Sequence, residues 1–236
     1  MTTANLVEIR NLEVRRGRFA LTVPEWTVAP GEVAGLVGPN GAGKTTLLEV
    51  LAGFRPAGRG EARVAGVDPW REPVAARLAM GFMNDEMPLF DMRIGPLCEL
   101  LSGYYSTWDG ELVNQLLNRF KLDPRHKARS LSRGEGTRLR LVLALAFRPR
   151  LLILDEPAAG LDLGGRRALL GSVLEVAGDP QRSVIVSSHM LADVERIADK
   201  LLVLHEGRVV QQGRTDELVG DGRTLEEALV AWGAAG

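Results

Sequence analysis

Residues Gly38 to Thr45 read GPNGAGKT, a G-x-x-x-x-G-K-T pattern, and a helical stretch, TLLEVLAGF, continues from Thr46. The run GEVAGLVG leading into the pattern is almost unbroken apolar sequence of buried-strand type. A strand that ends in a glycine-rich loop and passes into a helix is the context in which such a loop wraps phosphate. The glycines let consecutive backbone N–H groups turn toward one anion, so Gly38, Pro39, Asn40, Gly41, Ala42 and Gly43 form a cradle. Lys44 adds a mobile point charge for the β- and γ-phosphates, and Thr46 offers a hydroxyl to the α-phosphate. Thr45 offers a hydroxyl to Mg2+, a hard cation that prefers oxygen. The plainer reading, a glycine turn before an ordinary helix, is disfavoured by the strand and helix on either side.

Holding phosphate does not cleave it. LLILDEP, residues 151 to 157, puts Asp155 at the carboxyl end of a buried strand, on the sheet edge where the loop also emerges. Asp155 is expected to hold the Mg2+ through water, and Glu156 to orient and deprotonate the attacking water. An isolated Asp-Glu pair would more simply end a strand; the upstream loop reverses that judgement. SVIVSSH brings His189 to the end of another apolar strand, a candidate contact to the γ-phosphate or the attacking water. The competing role for His189 is that of a hydrogen-bonded structural residue.

A further anion-suited feature is SLSRGEGTRLRL, residues 130 to 141. Ser132 and Glu135 are spaced as a reciprocal capping box that opens a helix. Gly134 and Gly136 weaken its first turn and expose N–H groups, and Arg133, Arg138 and Arg140 surround it with positive charge.

The elements that carry these residues follow from periodicity. VEIRNLEVRR and FALTVPEW alternate as strands around a turn at Gly17, GEARVAGVDP is a strand followed by a turn, and AMGFM is another strand. From about residue 87 to 149 helical spacing takes over, as in DGELVNQLLNRFKL. LLILDEP and SVIVSSH resume the buried-strand pattern on either side of the helix RRALLGSVLEVA. LLVLHEGRVVQQG is a hairpin turning at Glu206-Gly207, with a short helical tail after it. Strand and helix in alternation around a helical insert mean an α/β protein with a parallel-sheet core.

Bulk composition excludes several classes. The 236 residues are 45% hydrophobic and 25% charged, with a net charge of −1, which gives no long-range pull toward nucleic acid. One cysteine, Cys98, cannot form an internal disulfide, and three scattered histidines do not form a Cys/His metal cluster. The longest apolar run, LVLALAF, is far short of the ~20 residues of a membrane span, and the N-terminal residues lack a signal-peptide pattern, so a soluble chain is expected.

These residues, in this order, resemble the nucleotide-binding domain of ABC ATPases from about Val7 to Val219. VGPNGAGKTT is similar to the Walker A motif, LLILDEP to the Walker B, and LSRGE to the signature usually read LSGGQ. AGLD, ending at Asp162, resembles the D-loop and SSHML the H-loop. The resemblance implies a P-loop NTPase of ABC type, with an N-terminal antiparallel β part and an inserted helical subdomain. Its nucleotide core would cover about 1–86 and 150–220, the helical subdomain about 87–149, and a tail about 221–236. It also implies that two such domains stack head to tail, with Ser132 and the Gly134 N–H of one covering the γ-phosphate of ATP held by the other. The expected partners are a second copy or a paired sibling ATPase, and separate integral-membrane permease subunits, which place the chain in the cytoplasm at the inner face of the membrane. YYSTWDGELVNQLLNRFKLDP resembles the helical part of bacterial exporter ATPases.

Several positions depart from the family pattern. Arg133 replaces a glycine and Glu135 a glutamine in the signature. Asp85 stands where a glutamine is expected, and as an acid it becomes a candidate ligand for Mg2+ or its waters. Arg16 takes the place of the aromatic that stacks on adenine, a role a guanidinium can fill. Ala158 and Ala159 replace hydroxyl residues before the D-loop. The leading expectation is an ATPase subunit that drives a permease through a groove beside Asp85, with Met87, Leu89 and Phe90 as contacts or as ordinary core. The alternatives are a soluble ABC ATPase of a non-transport assembly and a catalytically silent binding module. Lys44, Asp155, Glu156 and His189 argue against the last.

Overall fold

The computed structural model describes residues 4–220 and 222–233. Of the expected tail, residues 221 and 234–236 lie outside the described residues, as do residues 1–3. Among the described residues nine strands form one sheet. They are β1 (Val7–Arg16), β2 (Phe19–Val28), β3 (Val33–Val37), β4 (Arg59–Val64), β5 (Met80–Asn84), β6 (Leu151–Asp155), β7 (Ser183–Ser187), β8 (Lys200–His205) and β9 (Arg208–Arg214). Their spatial order is β4-β1-β2-β9-β8-β3-β7-β6-β5. Strands β8, β3, β7, β6 and β5 run parallel, whereas β4, β1 and β2 form an antiparallel ribbon, joined to β9 by a parallel bridge between Thr22 and Arg208. The β8–β9 hairpin turns at Glu206 and Gly207, both with positive φ.

The period of two along the central strands divides the core into two clusters, one on each face of the sheet. Val33 and Val37, Leu152 and Leu154, Val184 and Val186 join the cluster under the helices α3 (Ile94–Ser102), α4 (Gly110–Arg119), α5 (Arg133–Leu145) and α6 (Leu163–Ala177). Their alternates Ala34, Leu36, Leu151, Ile153 and Ile185 join the cluster that α1 (Lys44–Leu51) shares with β1, β2 and β4. The helix α2 (Pro73–Ala79), opened by a proline in its first turn, is too short at 7 residues to stand out by periodicity in the sequence. The short helices α7 (Leu191–Ile197), α8 (Thr215–Val219) and α9 (Leu225–Ala231) are the last three among the described residues.

Residues 87–149 contain α3, α4 and α5 and a single isolated bridge, Arg93 to Lys127, in place of strands. α4 is capped by Asp109, which accepts the Leu112 N–H at 2.8 Å and the Arg148 Nε at 2.7 Å. Tyr105 stacks on Phe147 at 4.0 Å between ring centroids and faces Trp108, so two of the three aromatics of this segment pack inside it while Tyr104 is exposed. α5 lies against β5 so closely that a Cβ on Gly81 would come within 2.3 Å of the Ala144 carbonyl oxygen. That approach fixes the helical segment on the sheet edge.

Candidate nucleotide site

Register carries the chemistry to one edge. Asn84 pairs with Asp155, Asp155 with Ser187 and Ser187 with Leu36, so the last residues of β5, β6 and β7 and the end of β3 stand in one row. Asp85, Glu156, Ser188 and the Gly38 loop begin immediately beyond it. This is the carboxyl edge of the parallel strands, where open α/β sheets bind ligands.

The loop from Gly38 to Gly43 holds its curl through local bonds. Gly38 has φ 144°, and a Cβ there would meet the Leu204 carbonyl oxygen at 2.0 Å, so no larger residue fits. Gly43 is left-handed at φ 109° and forms the N-cap of α1 without a side-chain partner, leaving the first N–H groups of the helix directed into the loop. Lys44 Nζ donates to the carbonyls of Gly38 at 2.7 Å and Pro39 at 3.2 Å, and its side chain closes the ring. Burial pushes the Lys44 ammonium below its ordinary value, while the carboxylates of Glu156 and Asp155 hold it up. Thr46 is buried behind the loop and Thr45 is exposed on its rim.

Asp155 is buried, and Ser187 Oγ donates to its Oδ1. The same serine oxygen accepts the Glu156 N–H at 3.1 Å, which steadies Glu156 in a left-handed conformation at φ 50°. The Glu156 carboxylate accepts the His189 N–H at 3.2 Å, and its Oε2 lies 2.6 Å from His189 Nδ1. Glutamate and histidine therefore act as one hydrogen-bonded unit at the pocket. Nothing in the sequence singles out Ser187, because its role depends on cross-strand register.

A pocket of about 430 Å³ is lined by Arg16, Phe19, Asn40, Gly41, Gly43, Lys44, Thr45, Thr46 and Glu156. Arg16 reaches it as expected, but the structure adds an aromatic, Phe19, whose ring edge lies beside Gly43 and Gly207. Phe19 thus gives the pocket an aromatic face beside Arg16. In the sequence Phe19 reads as an ordinary strand residue three positions past Arg16, on the far side of the Gly17 turn.

None of the residues lining this pocket comes from the turn that opens α5. There the capping box forms in full: Ser132 Oγ accepts the Glu135 N–H at 3.3 Å and donates to Glu135 Oε2 at 2.6 Å, and Oε2 also accepts the Ser132 N–H. The Ser132 hydroxyl and backbone N–H bonds hold the Glu135 carboxyl below its ordinary range. The arginines around the turn are each engaged. Arg133 pairs with Asp85 at 2.7 Å, Arg138 with Asp162 at 3.1 Å, and Arg140 donates to the Met87 carbonyl at 2.8 Å.

Asp85, expected on Mg2+, is therefore placed elsewhere. It does not line the Lys44 pocket, and its two oxygens are taken up by Arg133, Thr137 and Arg140. The sequence shows an acid near a phosphate site, while the fold brings cations from α5 to it first. Gly134 sits against the Gly160 carbonyl, next to the bend that ends at Asp162, the N-cap of α6.

A family profile described as ABC transporter matches residues 21–159. The chain belongs to the ABC transporter family. The daunorubicin resistance ATP-binding protein DrrA3 of Streptomyces coeruleorubidus is 34% identical over 90% of this chain and 69% of its own length. The thiamine import ATP-binding protein ThiQ of Jannaschia sp. is 31% identical over 92% of this chain and 96% of its own. A solved structure described as the ATP-binding subunit of an ABC transporter superposes with a TM-score of 0.89 at 26% identity, over 97% of this chain and 99% of that one. The protein is an ABC ATP-binding subunit and an ATPase. Among the described residues no helix is long and apolar enough to cross a membrane.

Proposed function

We propose that this ABC subunit binds Mg-ATP in the Lys44 pocket, closes it against a second ATPase domain stacked head to tail, and couples hydrolysis to a separate membrane permease. One observation carries the reading. The cradle with Lys44 and the capped turn with Ser132 do not share a pocket within the chain, so a nucleotide enclosed by both needs two chains. The second domain is another copy or a sibling ATPase. Residues 1–86 and 150–220 act as nucleotide core, 87–149 as the helical subdomain that carries the lid, and 221–236 as a tail.

In this reading the N–H groups of Gly38 to Gly43 and the Lys44 ammonium bind the phosphates, Thr46 supports the α-phosphate, and Arg16 with Phe19 receives the base. Among the described residues no group of three or more acidic, His or Cys side chains forms a closed metal cage. A hydroxyl at Thr45 and a carboxylate at Asp155 suit Mg2+, which takes few protein ligands beside phosphate oxygens. When bound, the ion would neutralise negative charge on the phosphates. Glu156 orients and deprotonates water, and His189, hydrogen-bonded to it, fixes the carboxylate and reaches toward the γ-phosphate. Ser132 and Gly134 of the opposite chain cover that phosphate.

An apolar groove of about 390 Å³ runs between core and helical segment, lined by Phe54, Phe82, Met87, Leu89, Phe90 and Leu101 among others. Phe54 and Phe90 remain half exposed, at 50% and 53%. Its chemistry fits an apolar helix of a permease, which would hold the chain at the cytoplasmic face of the membrane. The named relatives include one of drug resistance and one of import. Outward transport is favoured by the exporter-like segment from Tyr104 to Pro124. A role in a non-transport assembly is the second reading, and the groove argues against it.

The test is size exclusion of Glu156→Gln with and without Mg-ATP, followed by co-purification with membrane proteins. A dimer that persists only with ATP is expected. A monomer at saturating nucleotide would refute head-to-tail closure, and a dimer that captures no membrane subunit from its native host would favour the second reading.

A further inference from the structure

Asp85 and Arg133 each depart from the family pattern, and the fold makes them partners. Asp85 follows the last residue of β5, and the turn after it is fixed by the Met87 N–H donating to Asn84 Oδ1 at 2.9 Å. Arg133 places both Nε and a terminal nitrogen on Asp85 Oδ2, at 2.8 and 2.7 Å. Oδ1 lies 3.2 Å from Thr137 Oγ1, whose hydroxyl is shared with the Arg133 carbonyl at 3.0 Å, and faces Arg140 at 3.6 Å. Three residues spanning the first two turns of α5 therefore converge on one carboxylate whose side chain is 22% exposed.

The turn they hold is weak in itself. Gly134 and Gly136 fall in its first residues, and Ser132 and Arg133 are exposed. The Arg133 stem also lies across Gly160, and Arg138 ties the second turn to Asp162. Arg140 extends the link to the groove, since it donates to the Met87 carbonyl and lines the same groove as Met87. One charge cluster thus spans the end of β5, the lining of the groove and the turn that opens α5 at Ser132.

We propose that Asp85 is a positioning residue for the turn opening α5: through Arg133, Thr137 and Arg140 it sets the orientation in which Ser132 and Gly134 meet a second nucleotide-bearing chain, and it is not a metal ligand. The proposal rests on the head-to-tail reading for its functional consequence, and on the contacts of Asp85 within the chain for its geometry.

The experiment compares Asp85→Asn, Asp85→Glu, Arg133→Gln and the Asp85→Asn/Arg133→Gln pair, all in the Glu156→Gln background. Three quantities are read: ATP-driven dimer dissociation, the Mg2+ half-saturation for binding a fluorescent ATP analogue, and hydrogen exchange over residues 133–137. Asp85→Asn is expected to weaken the dimer about fivefold and to speed exchange by a similar factor. Mg2+ half-saturation should stay within about twofold, Asp85→Glu should recover part of the loss, and the pair should lose less than the two single variants combined. A large rise in the Mg2+ requirement, or a tighter dimer from a merely unmasked Arg133, would overturn the proposal. If the parent does not dimerise with ATP, the head-to-tail reading fails separately. The positioning role is then decided by exchange alone, with faster, non-additive exchange supporting it and unchanged exchange refuting it.

Discussion

Replacing Glu135 by Gln separates two effects that the capping box combines. Glu135 Oε2 lies 2.6 Å from Ser132 Oγ. A phosphate oxygen that takes this hydroxyl at ~2.7 Å stands about 5 Å from the carboxylate. Two unit charges at that distance repel by ~0.8 kcal/mol in water and ~3 kcal/mol at an effective dielectric of ~20. The turn is partly exposed and screened, so about 1 kcal/mol per site is the fitting value, or about 30-fold across two sites of a homodimer. The substituted amide keeps an acceptor for the Ser132 N–H but removes a charge that favours the helix N-terminus by ~0.5 kcal/mol. The Glu135→Gln variant is therefore expected to unfold about 1–2 °C lower while its ATP-driven dimer tightens. Sedimentation at several ATP concentrations in the Glu156→Gln background measures the second effect, and calorimetry without nucleotide the first. Because the Glu135 carboxyl is held below its ordinary range, wild type should approach the variant only as pH falls through that depressed value. A dimer that weakens along with the monomer would show that Ser132 meets no phosphate.

Ser187→Ala removes the bond that orients the buried Asp155 and one of two acceptors of the Glu156 N–H, which keeps the Ser187 carbonyl at 3.1 Å; stability should fall by about 1–3 kcal/mol, and the Mg2+ requirement of ATP hydrolysis should rise about tenfold, measured by titrating Mg2+ at fixed ATP. Alanine at Gly81 and at Gly171 should act with opposite signs in thermal melts. At Gly81 the new methyl meets the Ala144 carbonyl and costs about 1–3 kcal/mol, whereas at Gly171, in α6, it meets nothing and contributes ~0.5–1 kcal/mol. Lys44 titrates below the ordinary lysine value of 10.5 in the folded chain, so the unfolded chain binds more protons between the two values and stability rises with pH across that window. Denaturant titrations at increasing alkaline pH should show this rise in wild type and not in Lys44→Met.

What local pattern can specify, the sequence displays without coordinates. The glycine spacing of 38 to 43, Lys44 after it, the alternation that splits Leu151–Leu154 between two cores and the S-x-x-E box at Ser132 are all near-neighbour constraints on backbone and burial. They identify the strands, the loop, the Asp155-Glu156 pair and the capped turn. Partners separated by tens of residues are decided by tertiary structure. Asp85 meets Arg133 across 48 positions, and a carboxylate near a phosphate site reads the same in sequence whether a metal or a guanidinium takes it. Phe19 enters the pocket through the hairpin geometry of β1 and β2, and Ser187 reaches Asp155 through strand register. The three arginines of the α5 turn read as free positive charge until Asp85, Asp162 and the Met87 carbonyl are folded against them. Periodicity fixes which way a side chain faces along its own element. Only the packing of elements determines what it faces, because electrostatic and hydrogen-bond partners are set by distance in space and not along the chain.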